Sequence, residues 1–186
     1  MNIDRMEHKS ERVYRRAIWL RRFVTGFLVL CWMFVIGSFS AQPGAESGSL
    51  SRDVAKKAVR VEEKLSGKTY TDKERDVKIE SMQFPIRKLA HMTEYAVLAM
   101  LLALHLGSYA FGSKNLQLRL LLAWLIAAAY AATDEVHQLF VDGRSGSFVD
   151  VCIDSAGAFL GVLCLAIFFR GYRQHVRRIK NIKKID

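Results

Sequence analysis

Four long apolar blocks restrict what this chain can fold into more than any other feature. They cover residues 23–39, 89–111, 116–133 and 148–169, and each approaches or reaches the roughly 20 residues needed to cross a bilayer's hydrocarbon core. In lipid, backbone amides and carbonyls have no water to bond, so each segment must satisfy its own, and the α-helix does so. The expected fold is an all-α membrane protein, a four-helix transmembrane bundle with spans at about 20–40, 88–111, 116–134 and 148–169. No internal repeat or low-complexity tract divides the 186 residues, which read as one membrane domain.

The formal net charge of +10 has a location. Arg5, Lys9, Arg12, Arg15, Arg16, Arg21 and Arg22 precede the first block. Arg170, Arg173, Arg177, Arg178, Lys180, Lys183 and Lys184 follow the last, and Lys114 and Arg119 mark the short second connection. The positive-inside rule puts these three regions in the cytoplasm. The expectation is a multi-pass cell-membrane protein with both termini cytoplasmic. Topology and headgroup attraction account for the basic residues, and nucleic acid is excluded as a partner. A basic start and an apolar core also suit a signal peptide, with Ser38-Phe39-Ser40 before a cleavage site. The length of that core favours an uncleaved first helix. Cys31, Cys152 and Cys164 lie within the blocks at no metal or redox spacing and read as small apolar packing residues.

Topology then makes 41–86 an extracytoplasmic loop. In it, Leu50, Val54, Ala58, Val61 and Leu65 recur at helical spacing, with Arg52, Lys56, Lys57, Arg60 and Lys64 around them. That stripe predicts one short amphipathic helix, lying on the outer leaflet, covering the spans, or serving only as a solvated linker. Gly67 and the polar run TYTDKERD end it.

The same topology gathers three sets of polar residues at the outer end of the bundle. At about 100° per residue, Arg87, His91, Glu94 and Tyr95 share one sector of the second span. Tyr130, Asp134 and His137 share a face of the third. In the fourth, Asp150 and Asp154 lie one turn apart above Gly157 and Gly161, whose Gly-x-x-x-Gly spacing lets another helix approach closely. Charge near hydrocarbon is costly, so partners are expected, with Arg87, Lys88 and Arg144 the candidates. Plainer readings stand beside these. Asp150 closes a capping box begun by Ser147. His91, Asp134 and His137 satisfy one another structurally. Lys88 and Glu135 face headgroups and water, Asp142 is a turn residue, and His105 sits in a helix interface.

The segments RKLAHMTEYAVLAMLL, AAAYAATDEVHQLFVDGRSGSFVDVCIDSAGAFLG and, more weakly, SFSAQPGAESG resemble the VanZ-like membrane proteins. The resemblance covers the chain apart from its basic tails and the outer helix. Asp142 departs from it, standing where the family's V-P-G-R turn usually has proline. The family's namesake is linked to low-level teicoplanin resistance, which implies action at the cell envelope, where this drug meets lipid-linked peptidoglycan precursor. The resemblance supplies no reaction.

Two chemistries fit the outer cluster. In the first, Arg87, Lys88, Tyr95, Gln138, Arg144, Ser145 and Asp150 bind an anionic lipid, a lipid-linked wall precursor or a glycopeptide. Helix N-termini and the amides of GRSGS would assist. In the second, His91, Glu94, Asp134, His137 and Asp154 hydrolyse a phosphoester or prenyl pyrophosphate. A divalent metal would suit that chemistry, although no established metal signature is present, and no other cofactor is expected. Ion transport is the weakest alternative, because no polar path continues inward beyond His105.

Overall fold

The computed structural model describes residues 2–109 and 115–182, and its described residues form five helices and no strand. These are α1 (Asn2–Ser40), α2 (Gly44–Ser66), α3 (Asp72–Leu106), α4 (Leu116–Gln138) and α5 (Phe148–Ile182). The helices α1, α3, α4 and α5 are long and apolar enough to cross a membrane, as the four blocks require. Lys114 and the last residues of the expected second span lie outside the described residues.

Small residues hold the bundle together. Ala123, Ala127 and Ala131, one per turn along α4, are fully buried with Tyr95, Leu98 and Ala99 of α3 and Ala158 of α5. Gly157 and Gly161 meet the backbone of α3, where a methyl group on either would collide with Met92 or Ala96. Packing in lipid depends on such close backbone approach, because the apolar side chains gain nothing by leaving one hydrocarbon environment for another. Three side chains then pin helices to their neighbours. Trp32 Nε1 donates to the Glu94 carbonyl (2.9 Å), Tyr130 Oη to the Met33 carbonyl (2.8 Å) and Trp124 Nε1 to the Ser155 carbonyl (3.1 Å).

The region before the second span departs from expectation. It holds two helices, because α3 starts at Asp72 and continues through Pro85 into the span. Thr71 and Glu74 form a full capping box at its start. The predicted helix is present as α2, but its apolar stripe faces outward. α2 buries Ser51, Ala55 and Val59 against Ile79, Met82 and Ile86 of α3, while Leu50, Val54, Val61 and Leu65 are exposed. The small face allows the two helices to pack closely, and the larger residues are displaced to the exterior. The three cysteines are free and also exposed, on the outside of the bundle rather than in its packing.

At the end of the bundle where the basic residues collect, His105 sits in an interface as expected. Its Nδ1 lies 3.0 Å from Thr25 Oγ1, and its ring packs on Gly26. Arg119 is buried there, with its guanidinium 4.7 Å from the Phe169 ring centre.

Candidate functional site

At the opposite end, the loop between α4 and α5 folds back onto the end of α1. Gly143 adopts φ +70°, which a side chain resists, and the Arg144 amide closes the turn onto the Val141 carbonyl (3.1 Å). Asp142 thus precedes the left-handed glycine, a position many turns give to proline. The Asp142 carbonyl accepts from the Gly44 amide (3.0 Å), and a side chain on Gly44 would strike the Gly143 backbone. Arg144 secures the junction by donating from Nε to the Gln42 carbonyl and from Nη2 to the Phe39 carbonyl, both at 2.9 Å. Its guanidinium therefore caps carbonyls at the end of α1 before it does anything else. Burial, and then the like charge of Arg87, pull its pKa below the usual arginine value.

The acids are spent in different ways. Asp150 forms an ion pair with Lys88, both side chains being about one-fifth exposed. Lys88 is thus directed into the protein rather than toward headgroups. The Ser147 hydroxyl accepts from the Val149 amide, and the Asp150 carboxylate turns to the lysine. Glu135, expected in water, is buried and accepts the Ser147 amide at 2.8 Å, fixing the start of α5. Gln138 donates to Asp134 (3.2 Å) and, at 3.4 Å, to Glu135.

Two cavities share this polar wall. One, of about 220 Å³, lies between the end of α1, α2 and α3. Phe39, Leu50, Val54, Ile86 and Ala90 form its apolar side, and Arg87, His91, Glu94 and Arg144 its polar side. The second, of about 190 Å³, is lined by Arg87, Lys88, His91, Glu135, Gln138, Arg144, Ser145, Asp150 and Asp154. Asp154 is almost fully buried at its edge.

The cavities differ in electrostatic closure. The second sets three cations against three carboxylates, one pair of which is joined as an ion pair. The first sets two guanidiniums against Glu94 alone. Three residues lining it carry a buried atom with no hydrogen-bond partner: Arg87 Nε and His91 Nδ1, whose residues also line the second cavity, and Glu94 Oε2. His91 Nδ1 and Glu94 Oε2 stand 3.5 Å apart, too far for a good bond. Buried polar atoms are normally satisfied, so three orphans on one wall call for a ligand or water.

Some predicted residues are not brought to these cavities. Tyr95 is fully buried in the core, its ring 6.3 Å from that of Tyr130 and its hydroxyl without a hydrogen bond. Asp134 is buried but lines neither cavity. His137 is exposed. On α4 the inward sector contains Asp134, Glu135 and Gln138, and its centre is roughly 100° from His137 at the helical angle per residue. Among the described residues, no three His, Cys, Asp or Glu side chains are gathered so as to hold a metal ion.

Sequence reasoning missed Phe39, Gln42, Ser47, Ser51, Leu50 and Val54 as cavity residues. Phe39, Gln42 and Ser47 lie in the SFSAQPGAESG stretch, noted above only as the weaker part of a resemblance, and Leu50 and Val54 in the apolar stripe read there as one face of a helix.

A family model described as VanZ/LLP1 matches residues 25–169. No curated protein and no solved structure matches the chain.

Proposed function

Starting from a chain that belongs to the VanZ/LLP1 family and crosses the membrane several times, we propose that it is a binding protein of the bacterial cell envelope. Its ligand is an anionic lipid, a lipid-linked wall precursor or a glycopeptide, taken up at the outer face, and through it the protein contributes to resistance against teicoplanin-type drugs. The orientation follows from the basic residues of the two tails and the second connection, with both termini in the cytoplasm.

One observation carries this reading. Arg87 and Arg144 both line the 220 Å³ cavity, where Glu94 is the one carboxylate, and Arg87 Nε is buried without a partner. A phosphate or carboxylate would supply both the missing acceptor and the missing negative charge. The apolar side of the same cavity suits a ligand that lives in lipid.

The test uses purified protein in mild detergent, titrated with dioleoyl phosphatidic acid. Arg87→Gln should weaken binding by about tenfold or more, the effect of losing one charge-assisted hydrogen bond. In cells lacking the protein, the wild-type gene should restore teicoplanin tolerance and the Arg87→Gln gene should not. A well-expressed Arg87→Gln protein with wild-type binding and tolerance would overturn the proposal.

A second reading, hydrolysis of a phosphoester or prenyl pyrophosphate, draws on the neighbouring orphan atoms of His91 and Glu94. They are a candidate base and acid on the cavity wall, with or without a divalent metal. Release of phosphate from a prenyl pyrophosphate by wild-type protein, lost in Glu94→Gln, would favour it over simple binding.

A further inference from the structure

Resting on that anion-binding reading, we infer that the ligand is a long-chain amphiphile. Its hydrocarbon chain leaves the cavity along the outward stripe of α2, so that α2 is a tail rail rather than a linker.

The observations are geometric. Leu50 and Val54 form part of the apolar side of the 220 Å³ cavity, and Val54 also begins an open groove along α2. That groove continues over Ala58 and Val61 to Leu65. Val54 and Val61 are about half exposed, and Leu65 is 84% exposed. From Leu50 to Leu65 the stripe runs roughly 22 Å at the helical rise per residue. Nothing within the described chain covers it, because α2 packs on α3 through Ser51, Ala55 and Val59. An apolar strip of this length, rimmed by exposed Lys57 and Lys64, is out of place on a solvated helix.

Continuity selects the occupant. The strip begins at the mouth of a cavity whose far wall carries two guanidiniums, so one molecule with an anionic head and an apolar chain satisfies both features. A head alone would leave the strip uncovered. A chain alone would leave Arg87 without an acceptor.

The experiment compares dioleoyl with dihexanoyl phosphatidic acid, the same head on long and short chains. Both are titrated at equal mole fraction in the same detergent micelles against wild-type protein and the double variant Val61→Asp/Leu65→Asp. Both substituted positions are exposed and distant from the guanidiniums, so folding and head binding should be retained. Wild-type protein should prefer the long chain severalfold, through van der Waals packing along the strip rather than transfer from water, since the chains start in micelle hydrocarbon. The double variant should lose most of that preference and keep its affinity for dihexanoyl phosphatidic acid.

Equal wild-type affinity for the two lipids, or an unchanged preference in the variant, would overturn the inference and leave the anion cavity standing. Failure of both lipids to bind would overturn the cavity reading with it. A smaller particle mass for the variant by light scattering would assign the stripe to a second copy of the chain, which also overturns the inference.

Discussion

The two cavities share Arg87, His91 and Arg144, yet they represent opposite solutions to the same difficulty. Behind Lys88, charges removed from water neutralise one another. Lys88 takes Asp150, Glu135 takes the Ser147 amide, and Gln138 bridges Asp134 and Glu135. On the α2 side the shared guanidiniums meet Glu94 alone, and Glu94 Oε2 joins Arg87 Nε and His91 Nδ1 as atoms without a partner. A buried polar network that is fully satisfied rigidifies its surroundings, while a partly satisfied one is costly unless something else completes it. On the binding reading proposed above, the difference gives the polar cluster two jobs. One cavity is a joint holding the loop before α5 to α3 and α4, and the other is a receptacle.

Substitutions can separate those jobs. The largest effect belongs to the contact beneath both cavities. Gly157→Leu forces a side chain into the Met92 backbone. It should cost about 3 kcal/mol or more and abolish the monodisperse detergent-purified protein, read by size-exclusion chromatography. If it is tolerated, the close α3–α5 approach that brings the two cavities together is wrong. Next comes the joint. Glu135→Ala leaves the partly buried Ser147 amide without its acceptor, and should lower stability by about 1–2 kcal/mol in a thermal melt. Asp150→Ala strands Lys88. With both partners partly exposed, solvent screening reduces the loss to about 1 kcal/mol. The receptacle should respond in reverse. Arg87→Gln should leave the melting temperature within about 2 °C of wild type, because no hydrogen bond from Arg87 Nε is lost, while anionic lipid binding collapses. A large melting shift in Arg87→Gln with intact binding would erase the distinction between the cavities.

How far the sequence disclosed this arrangement depends on which physical signal each residue carries. Apolar length identified the four long helices, because hydrocarbon thickness leaves little choice. Gly157 and Gly161 declared their role by spacing, and the same reasoning brought Arg87, His91, Asp150, Asp154 and Arg144 to one end of the bundle. The region between the first and second spans was harder to read. Large apolar residues at helical spacing on α2 predicted the helix and left open whether their stripe met lipid, the spans or solvent, and packing chose the smaller Ser51, Ala55 and Val59. Thr71 and Glu74 lie in the polar run TYTDKERD, read above only as the end of the preceding helix, and they cap the start of α3 well before the expected span. The partners of Glu135 and Arg144 could not be named in advance, since the Ser147 amide and the Phe39 and Gln42 carbonyls are backbone groups brought near by tertiary folding. Hydropathy carries no information about such partners.

His137 offers the smallest effect and the cleanest control. Sequence phase joined it to Asp134, since residues three apart on a helix are neighbours. The third span, however, turns the sector between Asp134 and Glu135 inward, with Gln138 in its middle, and His137 is left outside. His137→Ala should therefore change neither the melting temperature, beyond about 1 °C, nor anionic lipid binding, since exposed substitutions away from a packed or bonded site have little effect. Loss of binding in His137→Ala, matched by no loss in Arg87→Gln, would mean that the ligand approaches α4 from outside the bundle. The receptacle would then lie on the far side of the joint, and the roles assigned to the two cavities would have to be exchanged for a single outer surface.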